Sequence, residues 1–184
     1  VKNLTISGTV VSTYNSNAGR VGGVVGVNEG MIDNCEFHGS VSQKQGDNMC
    51  VAGIAGYNEG TISGCKNYGD ITGISTGGSY DAVYVGGITG SNHGTVEISN
   101  CTNYGTIFGS VPNTNTYIGE IWGSEKWERN GAYVGGIAGD TNKSNAPGCT
   151  NNGTVMGENS NVDTNLISIT APEAIALDLS LIHI

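Results

Sequence analysis

Basic residues are scarce. Seven Lys and Arg stand against 16 Asp and Glu, for a formal net charge of −9. Such a surface lacks the cations that supply most nucleic-acid affinity, and it repels anionic membranes. Proline is nearly missing, with 3 residues, which argues against collagen and proline-rich disorder. Charged residues make up only 12% and aromatic residues 7%. No apolar run reaches the ~18 residues of a membrane-spanning helix. There is no C-x-x-C pair, no H-E-x-x-H string and no G-G-x-G-x-D calcium nonapeptide. Structural zinc, zincin-type catalysis and that form of calcium binding are therefore not indicated, and no metal or other cofactor is expected.

Glycine is abundant instead, at 31 of 184 residues, and Asn accounts for 21. Both are weak helix formers. No window keeps a 3.6-residue apolar period, so the chain reads as turn-dense and all-β. It is also repetitive. Val21-Gly22-Gly23-Val24-Val25-Gly26 returns as Val51-Ala52-Gly53-Ile54-Ala55-Gly56, as Val85-Gly86-Gly87-Ile88-Thr89-Gly90 and as Val134-Gly135-Gly136-Ile137-Ala138-Gly139, with starts 30, 34 and 49 residues apart. Each copy continues with Asn28-Glu29-Gly30, Asn58-Glu59-Gly60, Asn92-His93-Gly94 or the variant Asn142-Lys143-Ser144. An apolar position follows (Ile32, Ile62, Val96, Ala146), then Cys35, Cys65, Cys101 or Cys149, then a Gly-x-Val/Ile block ending at Val41, Ile71, Ile107 or Val155. Residues 4–10 fit this last block of a preceding copy.

Pieces this short, separated by Asn-x-Gly and Gly-Gly turns, predict a parallel β-solenoid (β-helix) with about 30 residues per three-sided coil and insertions at its edge. Stacking would place Val24, Ile54, Ile88 and Ile137 in one internal aliphatic column. Ile32, Ile62 and Val96 would form a second, and Val41, Ile71, Ile107 and Val155 a third. Asn28, Asn58, Asn92 and Asn142 would form an amide ladder, and Asn67, Asn103 and Asn151 another that Phe37 interrupts. His38, Tyr68, Tyr104 and Asn152 would sit beside it at the surface. Four of the five cysteines share one column, which favours a buried ladder of small side chains over disulfides. A bridge from Cys50 remains an alternative in an oxidising compartment.

The organisation predicted is the end of an earlier coil plus a loop over 1–20, then repeats over 21–50, 51–84, 85–133 and 134–164, and the start of a next coil or linker over 165–178. Ser144-Asn145-Ala146-Pro147 should make one side of the fourth repeat irregular, because Pro cannot donate to a ladder. The start at Val1 implies sequence upstream. Residues 179–184 resemble the translation of a transposon-based sequencing adapter, which would make the chain a metagenomic fragment.

The pattern resembles the GLUG-motif repeat. Gly53-Ile54-Ala55-Gly56 and Gly136-Ile137-Ala138-Gly139 carry its Gly-Leu/Ile-x-Gly core, and 58–71 fits its downstream elements best. The resemblance spans roughly 21–155. It implies a repeat region of large bacterial secreted or surface proteins, including the N-terminal regions of IgA-protease-like M26 metallopeptidases, and it implies no catalytic residue.

Insertions cluster after the Gly-x-Val/Ile block, at 42–50, 73–84 and 108–133. The longest holds Trp122, Trp127 and Tyr117, expected either to cover the loop and the coil edge beneath it or, where exposed, to stack on a glycan or anchor a host surface protein. The function expected is a non-catalytic structural or adhesive spacer, extracellular or at the cell surface, monomeric within a longer chain. It would contact neither nucleic acid nor the membrane interior. The alternatives are the non-catalytic N-terminal part of an M26-like peptidase, or a fragment of a β-helix carbohydrate-active enzyme. Seven basic residues leave little for a lyase-type cluster.

Overall fold

A computed structural model of the chain describes residues 1–13, 18–76, 82–93, 97–112, 114, 116–119, 121–124, 131–141, 146–158 and 160–161. All regular structure among them is β, without a helix, and every strand pair is parallel. Strands are two to eight residues long, as expected where Gly and Asn punctuate short Val/Ile/Thr-rich pieces.

The strands fall into four sheets, of eight, six, five and three strands. The second unit shows the path. Met49–Ala52 lies in the six-stranded sheet, Ala55–Asn58 in the five-stranded sheet and Thr61–Ser63 in the three-stranded sheet; Lys66–Asn67 and Asp70–Ile74 lie in the eight-stranded sheet. The first three units therefore visit four sheets each, where three sides were expected. The Gly-Gly corner divides one apolar piece into two strands.

That corner explains the glycines. A Cβ on Gly53 would stand 2.5 Å from the Gly87 carbonyl oxygen and 2.3 Å from Asn67 Oδ1; one on Gly87 would stand 2.2 Å from the Gly136 oxygen. These glycines are needed for close approach, not for a left-handed backbone. A left-handed backbone recurs instead in the column before the cysteines, at Asn34 (51°), Gly64 (59°), Asn100 (52°) and Gly148 (67°), and it also occurs singly, as at Ala18 (64°) and Asn48 (49°). The repeated column holds Asn and Gly, the residues that tolerate this region best.

Side chains repeat column by column. The Ile54 carbonyl accepts from the Val24 and Val25 amides, Ile88 from Ile54 and Ala55, Ile137 from Ile88 and Thr89, and Ile121 from Ile137 and Ala138. Ile54, Ile88 and Ile137 are fully buried. Val10, Val41, Ile71, Ile107 and Val155 stack in register. In the remaining column Ile98, not Val96, follows Ile32 and Ile62. The third unit carries two extra residues before its cysteine, so the apolar position three before Cys101 is Ile98; Val96 lies outside the described residues. Pro147 occupies the place of Ser99, where its carbonyl accepts from the Asn100 amide. The three-stranded sheet has no strand there.

The longest insertion departs from the edge-loop expectation. Thr116–Gly119 pairs with Gly131–Gly135 (Tyr117 with Tyr133, Ile118 with Val134), and Trp122–Ser124 pairs with Ala138–Thr141. Tyr117-Ile118-Gly119 and Ile121-Trp122-Gly123 thus act as a half-unit matching Tyr133-Val134-Gly135 and Ile137-Ala138-Gly139. The order is inverted: Gly131–Gly135 lies directly on Ala82–Gly86, and the earlier segment lies outside it.

Candidate functional site

Two amide ladders run along the stack. Asn28 Nδ2 donates to Asn58 Oδ1 (2.7 Å), and Asn58 Nδ2 donates to Asn92 Oδ1 (2.7 Å). Asn92 Nδ2 donates to Thr141 Oγ1 (3.3 Å). Thr141 takes the place expected of Asn142, which lies outside the described residues. The one-residue insertion in the fourth unit shifts the register by that amount. Asn67 donates to Asn103, and Asn103 to Asn151, at 2.8 Å each. Asn28, Asn58, Asn67, Asn103 and Asn151 also hold their own turns: Asn67 Nδ2 donates to the Gly69 carbonyl and Asn67 Oδ1 accepts the Gly69 amide. A primary amide is the one neutral side chain with two donors and an acceptor carbonyl, so it satisfies both the turn and the stack.

The cysteine column is polar in function. All five cysteines are free. Cys65 and Cys101 lie near the Ser63 and Ser99 carbonyls (3.2 Å each) as thiol donors, and the Cys35 and Cys101 amides donate to the sulfurs of Cys65 and Cys149. The thiol thus satisfies corner amides that lie outside the ladders. Hydrogen bonds to Cys149 and Cys65, with burial, push the Cys101 thiol up. Cys50 lies elsewhere, and burial raises it to about 12, far from a reactive thiolate.

The outer face of the eight-stranded sheet is open. His38, Tyr68 and Tyr104 stack across it, with ring centroids 4.4 and 4.7 Å apart and interplanar angles of 14° and 3°. Tyr68 is 38% exposed and Tyr104 44%. On one side Glu36 accepts from Lys66 Nζ (3.0 Å) and lies 3.3 Å from His38 Nε2. The Lys66 and His38 contacts hold the Glu36 carboxyl below its ordinary range. On the other side lie Ser40, Asp70, Thr106 and Thr154.

A second polar group sits on the outside of the five- and six-stranded sheets. The Arg20 guanidinium lies 3.9 Å from the Tyr57 ring centroid, and Tyr57 stacks on His93 at 5.1 Å. His93 Nε2 is 3.5 Å from Asp140 Oδ2, which accepts from Ser91 Oγ at 3.2 Å. Asp140 is 1% exposed. Burial raises its pKa to about 6, against the pull of the Ser91 hydroxyl and the Thr141 amide. Burial lowers His93. The carboxylate stands between hydroxyl and imidazole. A nucleophilic triad needs the imidazole in the middle.

Two of the three expected aromatics, Trp122 and Tyr117, lie among the described residues. Trp122 is 7% exposed and belongs to the main apolar cluster, so it is not the exposed platform expected of an edge loop. Its indole occupies the column of Ala138 in a paired strand. Tyr117 is half-buried and stacks on Tyr133 at 5.1 Å. Trp127 lies outside the described residues. The exposed aromatic column was visible in sequence as neighbours of the second Asn column. The Arg20–Tyr57–His93–Asp140 group was not, because its members belong to four different units. Among the described residues no group of three His, Cys, Asp or Glu is placed to hold a metal ion.

The amide ladder from Asn28, the turn at Gly30 and the cysteine corner at Cys35 together define the first unit. Residues 17–42 match the GLUG motif. The GLUG match covers this unit, and the strand registers extend its columns to the later ones. No curated protein matches the chain. No solved structure matches it either.

Proposed function

We propose that the chain is a stretch of parallel β-solenoid, with coils of about 30 residues, serving as a stiff non-catalytic spacer in an extracellular or surface-attached protein. One observation carries this reading. Residues 30, 34 and 49 apart bond through buried side chains at one repeated position, Asn28, Asn58, Asn92 and Thr141, so each unit is the template for the next. Backbone ladders and amide ladders along one axis resist bending and shear together. The GLUG match supports a repeat region of a secreted protein. The central position of Asp140 between Ser91 and His93 supports a non-catalytic role, as does the raised thiol of Cys50. The partner-facing surface is the open sheet face around Tyr68 and Tyr104 rather than the 108–133 segment, and the partner is a glycan or a host protein. The spacer would act as a monomer within a longer chain.

Pulling the chain from its two ends in a force-spectroscopy experiment tests the stiffness. Resistance followed by release in steps of roughly 11–18 nm is expected, from units of 30 to 49 residues at about 3.6 Å per extended residue. A featureless entropic stretch would overturn the spacer reading.

A further inference from the structure

The exposed face of the eight-stranded sheet carries more than its aromatic column. Outward positions alternate along each strand, so three parallel columns stand side by side. The aromatic column of Tyr68 and Tyr104 forms one wall. Two residues on, Asp70 and Thr106 form a floor, with the Thr106 amide donating to Asp70 Oδ1 at 3.1 Å. Two residues further, Phe108 and Met156 pair in register, with Met156 42% exposed. The outer columns are about 13 Å apart at ~3.3 Å per residue; the second continues as Thr72 and Ser42, so the apolar walls face each other at Tyr104 and Phe108 while hydroxyl-bearing positions recur along the stack.

We infer that this trough binds a linear neutral glycan, lying along the stacking axis. The inference rests on the proposed display role and gives it a ligand class. Three features select the occupant. First, the ring faces of Tyr68 and Tyr104 are turned toward each other, 3° from parallel. They offer edges and hydroxyls rather than a flat platform, so the ligand must be rich in hydroxyl groups along its length. Second, the floor supplies them with partners: the Asp70 carboxylate, already oriented by the Thr106 amide, and the threonine hydroxyls. A carboxylate accepting from sugar hydroxyls makes charge-assisted hydrogen bonds, about twice as strong as neutral ones. Third, the only cation beside the trough among the described residues is Lys66, and Glu36 holds it. With a chain charge of −9, acidic glycans are repelled. The floor column of Ser40, Asp70, Thr106 and Thr154 runs along the stack, so contacts to a linear polymer accumulate with chain length.

Isothermal titration of the whole chain with neutral oligomers tests this: β-1,4-linked glucose, β-1,4-linked N-acetylglucosamine and α-1,4-linked glucose, each from disaccharide to hexasaccharide. Heparin and hyaluronan fragments are the acidic counterparts, and chitosan oligomers the cationic one. Expected is binding of at least one neutral series, with affinity rising from dimer to hexamer and no binding of the acidic fragments. Tyr68→Ala combined with Tyr104→Ala should weaken it by at least about tenfold, or 1.4 kcal/mol, with unchanged circular dichroism and melting. Asp70→Asn, which keeps the acceptor for the Thr106 amide, should weaken it less. Affinity that does not grow with length overturns the axial placement. Binding that survives the double substitution overturns the trough. Binding of only the chitosan series overturns the neutral ligand in favour of an ammonium group. Failure of every oligomer overturns the glycan inference while leaving the force trace, and the spacer reading, standing.

Discussion

Truncating one amide in the middle of a ladder should cost far more than truncating one at its end. Asn58 is fully buried. Its Nδ2 donates to Asn92 Oδ1 and to the Gly60 carbonyl, both at 2.7 Å, and its Oδ1 accepts from Asn28 and from the Gly60 amide. Asn58→Ala strips partners from Asn92 Oδ1 and both Gly60 backbone groups. Asn28 Nδ2 keeps the Thr61 carbonyl at 3.2 Å. Leaving two or three buried polar groups unpaired, at ~1–3 kcal/mol each, predicts a loss of about 3–6 kcal/mol. Asn28 sits at the outer end of the described ladder, is 7% exposed and has one ladder neighbour, so Asn28→Ala should cost only about 1–2 kcal/mol. Urea titration followed by far-UV circular dichroism measures both, at a common m-value. Asn58→Asp adds a second reading. It keeps the shape, removes both donors and buries a charge, so it should exceed Asn58→Ala at neutral pH and approach it in acid. Equal costs for Asn58→Ala and Asn28→Ala, or a cost below about 1 kcal/mol for Asn58→Ala, would refute the ladder as a source of stability.

Gly53→Ala should destabilise by several kcal/mol or prevent folding, since its Cβ meets a backbone oxygen at 2.5 Å; Gly30→Ala, with nothing within 4 Å, should be neutral, and matching melting curves for the two would sink the close-approach account. Ile88→Asp buries an unpaired charge in the aliphatic column and should abolish cooperative melting; unchanged melting is the contrary result. Asp140 gives a pH test. Its folded pKa is raised from 3.8 to about 6, so the native state holds the proton more tightly. Stability is greatest below 3.8 and falls as pH climbs through about 6, by up to about 3 kcal/mol for this group. His93, lowered by burial, acts oppositely and costs stability as pH falls below 6.5. Asp140→Asn should therefore raise stability at pH 7.5 and leave only the His93 trend; parallel pH–stability curves for wild type and variant would refute the assignment.

Much of this architecture was readable without coordinates because it is translational. A column that must bury an aliphatic side chain in every unit repeats that residue type in the chain, as Ile54, Ile88 and Ile137 do. An amide that must bond both its own turn and the next unit repeats as Asn28 and Asn58, and again as Asn67 and Asn103. The errors arose where length changed between anchors. Two extra residues moved the apolar position from Val96 to Ile98, and one extra residue put Thr141 where Asn142 was expected. The glycines were legible as corners, but sequence shows that a residue is small and not whether space, as at Gly53 and Gly87, or φ, as at Gly64 and Gly148, demands it.

By itself the sequence determined an all-β chain of repeated units, its corner residues and most of its buried columns, since each of these is a local demand written once per unit. Only the tertiary structure decided what depends on which strand lies against which. It made four sheets of the expected three sides. It drew Trp122 from an expected exposed loop into a paired strand, and set the 116–124 segment outside its own successor. It also gathered Arg20, Tyr57, His93 and Asp140 from four units into one group. The physical reason is that strand pairing is chosen by backbone ladders and side-chain fit between segments far apart in the chain. Two near-identical segments, such as those ending in Gly123 and Gly139, satisfy the same local rules in either order.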